Sequence, residues 1–288
     1  MHRRLRIWLF LFLMLMLAGV LSTPAPAAGP PLKFGFTPVL SEAEMRAEFE
    51  PLMTYLSDAI GQKVELYIAK NYGDLRTQME SGAVDIGSFS PFAYVDATRG
   101  GKIRIIAQSI LDHSATYRGI IVARKDSGLT TVADLQGKRF AFVDPKSASG
   151  YVYPRAMLIE KGVTPEQYFK EIVFSGGHDR VILDVLDRKV DAGAIYDGAL
   201  AVAKAKGVPA DELAVLSSTD PIPHDAIAVR TDMDEALAAK IRTALVDLEK
   251  SEAGRPVLAS SKKKLTGHVP AEDSLFDVVR RTAKIAGM

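Results

Sequence analysis

Two α/β lobes behind an export leader are the fold this sequence predicts, and three observations carry that prediction. Strand-like and helix-like runs alternate almost throughout, which argues for sheets flanked by helices. Two separate motifs recur at one offset of about 106 positions, so a single plan is used twice. At 288 residues the chain also exceeds the usual size of one hydrophobic core.

The leader comes first. His2, Arg3, Arg4 and Arg6 precede an apolar run over 7–21, and small residues with prolines fill 22–29. That is the order of a secretory signal, with Ala25-Pro26-Ala27 supplying the small-x-small pattern for cleavage after Ala27 or Ala28. The apolar run is shorter than the about 20 residues a membrane span needs. The expectation is a signal peptide over 1–28 and a soluble mature chain. Cysteine is absent, which excludes disulfides, thiol nucleophiles, thiolate metal sites and a lipid anchor behind the leader. Lys+Arg 36 against Asp+Glu 35, less the three leader arginines, leaves the mature chain at net −2. Such a balance offers no basic field to nucleic acid. Any bound anion must be held by local geometry.

Leu32–Phe36 reads as a strand. Ser41-Glu-Ala-Glu44 has capping-box spacing and opens an amphipathic helix that stops near Gly61. A strand at 64–68, a helix at 72–81 and a short buried strand at 84–87 follow. Ser90-Pro91 then starts another helix, serine as cap and proline at the first position. The repeat appears next. Phe34-Gly-Phe-Thr-Pro38 returns as Phe140-Ala-Phe-Val-Asp-Pro145, and Ala83-Val-Asp-Ile-Gly87 as Lys189-Val-Asp-Ala-Gly193. Segments 117–124 and 221–230 read as two hinge strands. The expected lobes are 29–121 with 226–288, and 122–225. The tail at 234–288 reads as mostly helical and packed on the first lobe, with the lysines of 262–264 on a solvated face.

In open α/β sheets ligands bind beyond the carboxyl ends of strands. The loops there are Thr37-Pro38, 88–94, 144–151, 175–179 and 196–198. The sharpest is Asp144-Pro-Lys-Ser-Ala-Ser-Gly-Tyr-Val-Tyr-Pro154. Pro154 belongs in a helix's first turn, which predicts a helix beginning around 150–153 and ending near Gly162. Ser147, Ala148 and Ser149 would then stand at its N-terminus, where free amides, the dipole and two hydroxyls suit an anion. Gly150 allows close approach and Lys146 stands beside it. Ordinary capping by Ser149 is the alternative. Ser90 would aim a second helix N-terminus at the same cleft.

The order Asp-Pro-x-Ser-x-Ser-Gly-x-x-x-Pro resembles the phosphate/phosphite/phosphonate substrate-binding family of ABC transporters. So do Ser90-Pro-Phe-Ala-Tyr-Val95, both Val-Asp-x-Gly strands, Arg124-Lys-Asp-Ser127 and Ile222-Pro-His-Asp-Ala-Ile-Ala-Val229, together spanning the mature chain. The resemblance implies a type II periplasmic binding protein fold: two lobes, each a mostly parallel sheet flanked by helices, joined by two hinge strands. It implies a periplasmic monomer without enzyme activity, cofactor or metal. That monomer would capture a phosphonate, phosphite or phosphate by hinge closure for a membrane permease. Ser147 and Ser149, with the amides of Ala148, Ser149, Gly150 and Tyr151, would hold the oxyanion. Ala148 departs from the Ser-Thr-Ser frequent among phosphonate binders and lacks the middle hydroxyl. His178 falls where the family places a histidine near the oxyanion, its alternative being a surface residue at a helix start. Asp197 matches a position that meets an ammonium group in some relatives, its alternative being a helix cap. In the first lobe Tyr94 would wall the ligand and lend its O–H, with Ser90, Thr37 and Tyr117 as further candidates. Tyr151 reads as packing or as a gate. No metal-ligand spacing joins His113, His178 and His224. Three competing readings stay open: a receptor serving a sensor kinase or cyclase, a Ser149–His178–Asp197 hydrolase lacking the Gly-x-Ser-x-Gly elbow, and the same fold holding a sulfonate or a thiamine-type precursor.

Overall fold

The structure is a computed structural model that describes residues 29–38, 40–261 and 264–288. The leader expected over 1–28, and Lys262 and Lys263 of the lysine run, lie outside the described residues. Among the described residues no helix is long and apolar enough to cross a membrane.

The first half is β1 (Leu32–Phe36), α1 (Glu42–Ile60), β2 (Val64–Ile68), α2 (Asp74–Glu80), β3 (Ile86–Phe89), α3 (Pro91–Thr98) and β4 (Ile103–Leu111). The predicted capping box opens α1, with Ser41 N–H donating to Glu44 Oε2 at 3.1 Å. Gly61 ends the helix in the left-handed region at φ 69°, where a side chain would be strained. The chain then crosses through β5 (Thr116–Tyr117) into β6 (Gly119–Arg124) and β7 (Arg139–Phe142). A wide helical turn, Ala148–Val152, runs into α4 (Tyr153–Glu160), followed by α5 (Pro165–Tyr168), β8 (Glu171–Phe174), α6 (His178–Leu186), β9 (Ala192–Tyr196), α7 (Ala199–Ala205) and β10 (Leu213–Ser218). It returns through β11 (Ile222–Pro223) to β12 (Ala226–Arg230), α8 (Glu235–Val246), α9 (Arg255–Ser260), β13 (Leu265–Pro270) and α10 (Asp277–Ile285).

The strands form two main sheets, β13-β4-β12-β3-β1-β2 and β10-β6-β9-β7-β8, with β5 and β11 paired as a ribbon between them. The duplication read from the motifs is reproduced in register. Phe34 faces Ile86 and Phe140 faces Ala192; Lys33 faces Glu65 and Arg139 faces Glu171. The repeated aspartate does the same in both copies. Asp85 accepts the Lys33 N–H at 2.9 Å, and Asp191 the Arg139 N–H at 2.8 Å, each pinning the start of the neighbouring strand. Each sheet thus has three parallel strands, extended by antiparallel strands from the crossings.

Phe34, Met45, Leu56, Ile86 and Leu245 fill the first core, and Ile121, Phe140, Phe142 and Leu158 the second. Full burial of each such side chain is worth roughly 1.5–3 kcal/mol.

Two expectations need correction. The run 117–124 is not one strand: Arg118 leaves the ladder and gives its N–H to Asp197 Oδ2, so β5 and β6 separate. The first crossing therefore falls at 112–118, and the boundary expected at residue 121 lies inside β6, a strand of the second sheet. The tail also contains an edge strand, β13, paired with β4. Its last helix, α10, packs on both α3 and α4, and the Arg155 guanidinium donates to the Ala286 carbonyl at 2.8 Å. The tail therefore touches both lobes.

His268 of β13 is buried, and its Nδ1 has no hydrogen-bond partner. Burial pushes its pKa from 6.5 down to about 4, against a bond to the Leu245 backbone. An unfolded chain therefore takes up this proton before the folded one, and stability falls as pH drops from about 6.5 to 4. The melting temperature between pH 7.5 and 5 should fall by a few degrees more in the wild type than in His268→Gln. Parallel curves would contradict this.

Candidate functional site

The 148–152 turn closes five-residue bonds: Val152 N–H donates to the Ser147 carbonyl and Tyr153 N–H to that of Ala148. Ser147 is the cap, its Oγ accepting the Gly150 N–H at 3.1 Å. The helix thus begins earlier than Pro154 alone predicts, and the capping serine is Ser147, not Ser149. The amides of Ala148 and Ser149 find no acceptor among the described residues, and that of Tyr151 finds none outside the turn. Internal capping takes one donor and leaves those of Ala148 and Ser149.

Two phenols from across the molecule meet this turn. The Tyr72 hydroxyl, from the loop after β2, lies close enough to that of Ser147, and the Tyr117 hydroxyl, from β5, to that of Ser149, for each serine to act on its phenol. Burial first, then nearby carboxylates that include Asp225, raises both tyrosine pKa values far above 10. Both stay protonated as O–H groups. The Tyr117 ring stacks on His224 at 4.9 Å. Gly119, next to the crossing, has no room for a side chain: a Cβ there would lie 2.7 Å from the Ser149 carbonyl oxygen.

His178 opens α6 and is only 6 % exposed. Its Nδ1 accepts the Tyr196 N–H at 3.2 Å, so in the neutral ring the proton sits on Nε2. Tyr196 packs edge-on against it at 4.9 Å. Burial, then the charges of Asp197, Asp179 and Asp225, pushes the Tyr196 hydroxyl up to about 12.

The other expected residues are differently engaged. Thr37 donates its hydroxyl to the Ser88 carbonyl at 3.2 Å. Ser90 stands at the N-cap position of α3, which packs on the 148–152 turn, but its buried Oγ makes no capping bond and has no partner among the described residues. Tyr94, 1 % exposed, turns away from the serines: it donates to Asp273 Oδ1 at 2.7 Å and packs against Phe276. Tyr151 packs on Phe142 and Phe174, which makes it packing and not a gate. Asp197 is exposed and accepts the Arg118 and Gly198 amides at 3.0 and 2.9 Å, whereas the cap of α7 is Gly198, so the cap expected of Asp197 is not formed. Lys146 pairs with Asp96 and so is engaged away from the amides.

Two residues were missed. Tyr72 follows strand 64–68, whose carboxyl-end loop the strand-end rule covers. Its separation from His178 also equals the repeat offset. Asp225 is the carboxylate whose charge reaches the hydroxyls of Tyr72, Tyr117 and Tyr196, a place the residue pattern had pointed to Asp197 for.

The site therefore offers amides and neutral hydroxyls around a helix N-terminus. A hydrolytic relay is not formed, because His178 Nδ1 accepts from a backbone amide and Asp197 accepts from two others. Among the described residues no group of three His, Asp or Glu side chains is placed to hold a metal.

A profile of the family described as "ABC transporter, phosphonate, periplasmic substrate-binding protein" matches residues 34–276. The chain is 35% identical over 170 residues to the phosphate-import protein PhnD of Mycolicibacterium smegmatis, covering 56% of this chain. That match spans 53% of the relative, about half its length. Against the phosphonates-binding periplasmic protein of Escherichia coli it is 26% identical over 233 residues, 79% of this chain and 69% of that one. A binding protein component of an ABC phosphonate transporter from Pseudomonas aeruginosa superposes with a TM-score of 0.82 at 22% identity, over 90% of this chain and 87% of that one. PhnD1 of Prochlorococcus marinus, in complex with methylphosphonate, gives 0.80 at 21% identity, over 88% and 97%. At these identities the structures speak for the fold alone.

Of the nine tyrosines, exposed ones should ionise reversibly at about pH 10. Ultraviolet titration of Tyr72→Phe and Tyr117→Phe should leave that reversible amplitude unchanged, because neither phenol ionises before alkaline unfolding. A variant that loses amplitude would show its phenol to be freely titrating.

Proposed function

This chain belongs to the periplasmic substrate-binding proteins of phosphonate ABC transporters, and we propose that it captures a small oxyanion by closing its lobes. The ligand is of the phosphonate, phosphite or phosphate class, and the closed form delivers it to the membrane permease of an importer. The leader sends the mature chain to the periplasm. The lobes meet at the crossings 112–118 and 219–225, and one chain supplies every group of the site, so a monomer suffices.

The observation that supports this reading is the pair of unpaired amides at Ala148 and Ser149, at the start of the helix, beside the hydroxyls of Ser147, Ser149, Tyr72 and Tyr117. Amides at a helix N-terminus favour negative charge. Each hydrogen bond to a charged group contributes roughly 1.5–3 kcal/mol net. A handful, less the cost of closure, supports micromolar or tighter binding. Tyr72 and the serines come from opposite lobes, so the ligand's shell is complete only when the cleft is shut, the differential contact that closure requires. The Asp225 charge, which reaches the hydroxyls of Tyr72, Tyr117 and Tyr196, suits a phosphonate that carries an amine.

Ser149→Asp places a carboxylate among the amides. Calorimetric titration with methylphosphonate, phosphite and phosphate should show affinity reduced about a hundredfold or more while the melting temperature holds. Undiminished affinity would overturn the assignment.

A further inference from the structure

The lobes are also joined by charges outside the anion site. In the first lobe the N-terminus of α1 carries its own anion. Glu44 Oε2 accepts from Ser41, and Glu44 Oε1 lies 2.7 Å from Nζ of Lys206, which follows α7 in the second lobe. Lys206 first, then Ser41, holds the Glu44 carboxyl down to about 2, so the pair stays charged at neutral pH. Leu40, just before this helix, shares an apolar crevice with Ile182, Val202, Ala203 and Val208 of the second lobe.

A second pair lies elsewhere along the cleft. Asp96 of α3 is fixed within the first lobe by Arg76, 3.3 Å away, and receives Lys146 from the second. Burial disfavours the Asp96 charge, but Lys146 and Arg76 outweigh it and lower its pKa. The Lys146 stem runs beside Gly73, and the adjoining residues Ser147 and Tyr72 share the hydroxyl contact of the anion site. This pair is therefore continuous with the ligand loop.

We propose that Glu44–Lys206 and Asp96–Lys146 are a two-sided latch that stabilises the closed state and sets ligand affinity without touching the ligand. The lysines are positioning residues. The repeat divides these roles between the lobes, since its offset carries Ser41 onto Ser147. Equivalent helix N-termini thus serve the latch in one lobe and the ligand in the other. A captured ligand's apparent affinity scales with the population of the closed form, so charges that favour closure raise it from a distance. Single exposed pairs contribute little, but a reversed charge turns attraction into repulsion at both ends of the change. The link to affinity rests on the capture reading, whereas the conformational link does not.

The test compares the mature protein with Lys206→Arg, Lys206→Met and Lys206→Glu. Methylphosphonate affinity should be near wild type in the arginine variant, lower in the methionine variant and about tenfold lower in the glutamate variant. Ligand-free melting temperatures should differ by no more than a few degrees, the cost of opening alone. X-ray scattering without ligand should give Lys206→Glu a larger radius of gyration than wild type. Equal affinities in all four proteins, or a loss in Lys206→Arg matching that in Lys206→Glu, would overturn the latch. Should the wild type bind no oxyanion, the capture reading falls and scattering alone decides, an unchanged radius in Lys206→Glu overturning the proposal.

Discussion

Pro154 has no N–H to give to the Gly150 carbonyl four residues earlier, and the helix start of the second lobe is arranged around that missing bond. The Gly150 carbonyl accepts instead from Val143, at the end of β7, at 3.1 Å. This ties the helix start to the sheet edge while the turn widens to five-residue bonds. Its first amides are left facing outward from the helix end, as first-turn amides must be unless something caps them. Ser147 caps one. Gly119 lets the turn lie close against the crossing, and Gly150 is so tightly set that a Cβ would overlap the Val143 side chain. The phenols of Tyr72 and Tyr117 then close over the serines.

The donors around this turn are neutral. The nearest lysine, Lys146, is paired with Asp96, and the mature chain has no excess of positive charge. Affinity for an anion therefore has to come from aligned dipoles and hydrogen bonds held in place before the ligand arrives. Neutral donors also release an anion more readily than a paired guanidinium would, which fits the proposed capture and release. The same helix-terminus physics appears in the first lobe with the opposite outcome, because Glu44 supplies the negative charge from within α1.

Much of this was legible in the residues. The capping box at Ser41, the proline at the start of α3, the glycine stop at Gly61 and the doubled Val-Asp-x-Gly strands are local signals, and they appear where the sequence places them. The helix start at 148–152 was legible because proline and two serines act over a single turn. β13 was not, because Leu-Thr-Gly-His-Val-Pro contains a glycine and a proline and carries a bulge, features an edge strand tolerates. Tyr94 was misplaced because its partner, Asp273, lies 179 residues away, and no local pattern says which face of α3 meets the tail. Asp197 and Asp225 both sit beside the crossings; long-range pairing decides which carboxylate takes the Arg118 amide and which sends its charge to the phenols.

The account stands on the amides at the start of one helix meeting the oxyanion directly. Amide NMR of isotope-labelled protein, titrated with a small phosphonate, reads those donors one by one. The largest downfield shifts are expected at Ala148, Ser149 and Tyr151, with the capped Gly150 amide moving less. Saturable binding that leaves these amides unmoved and shifts others would contradict it.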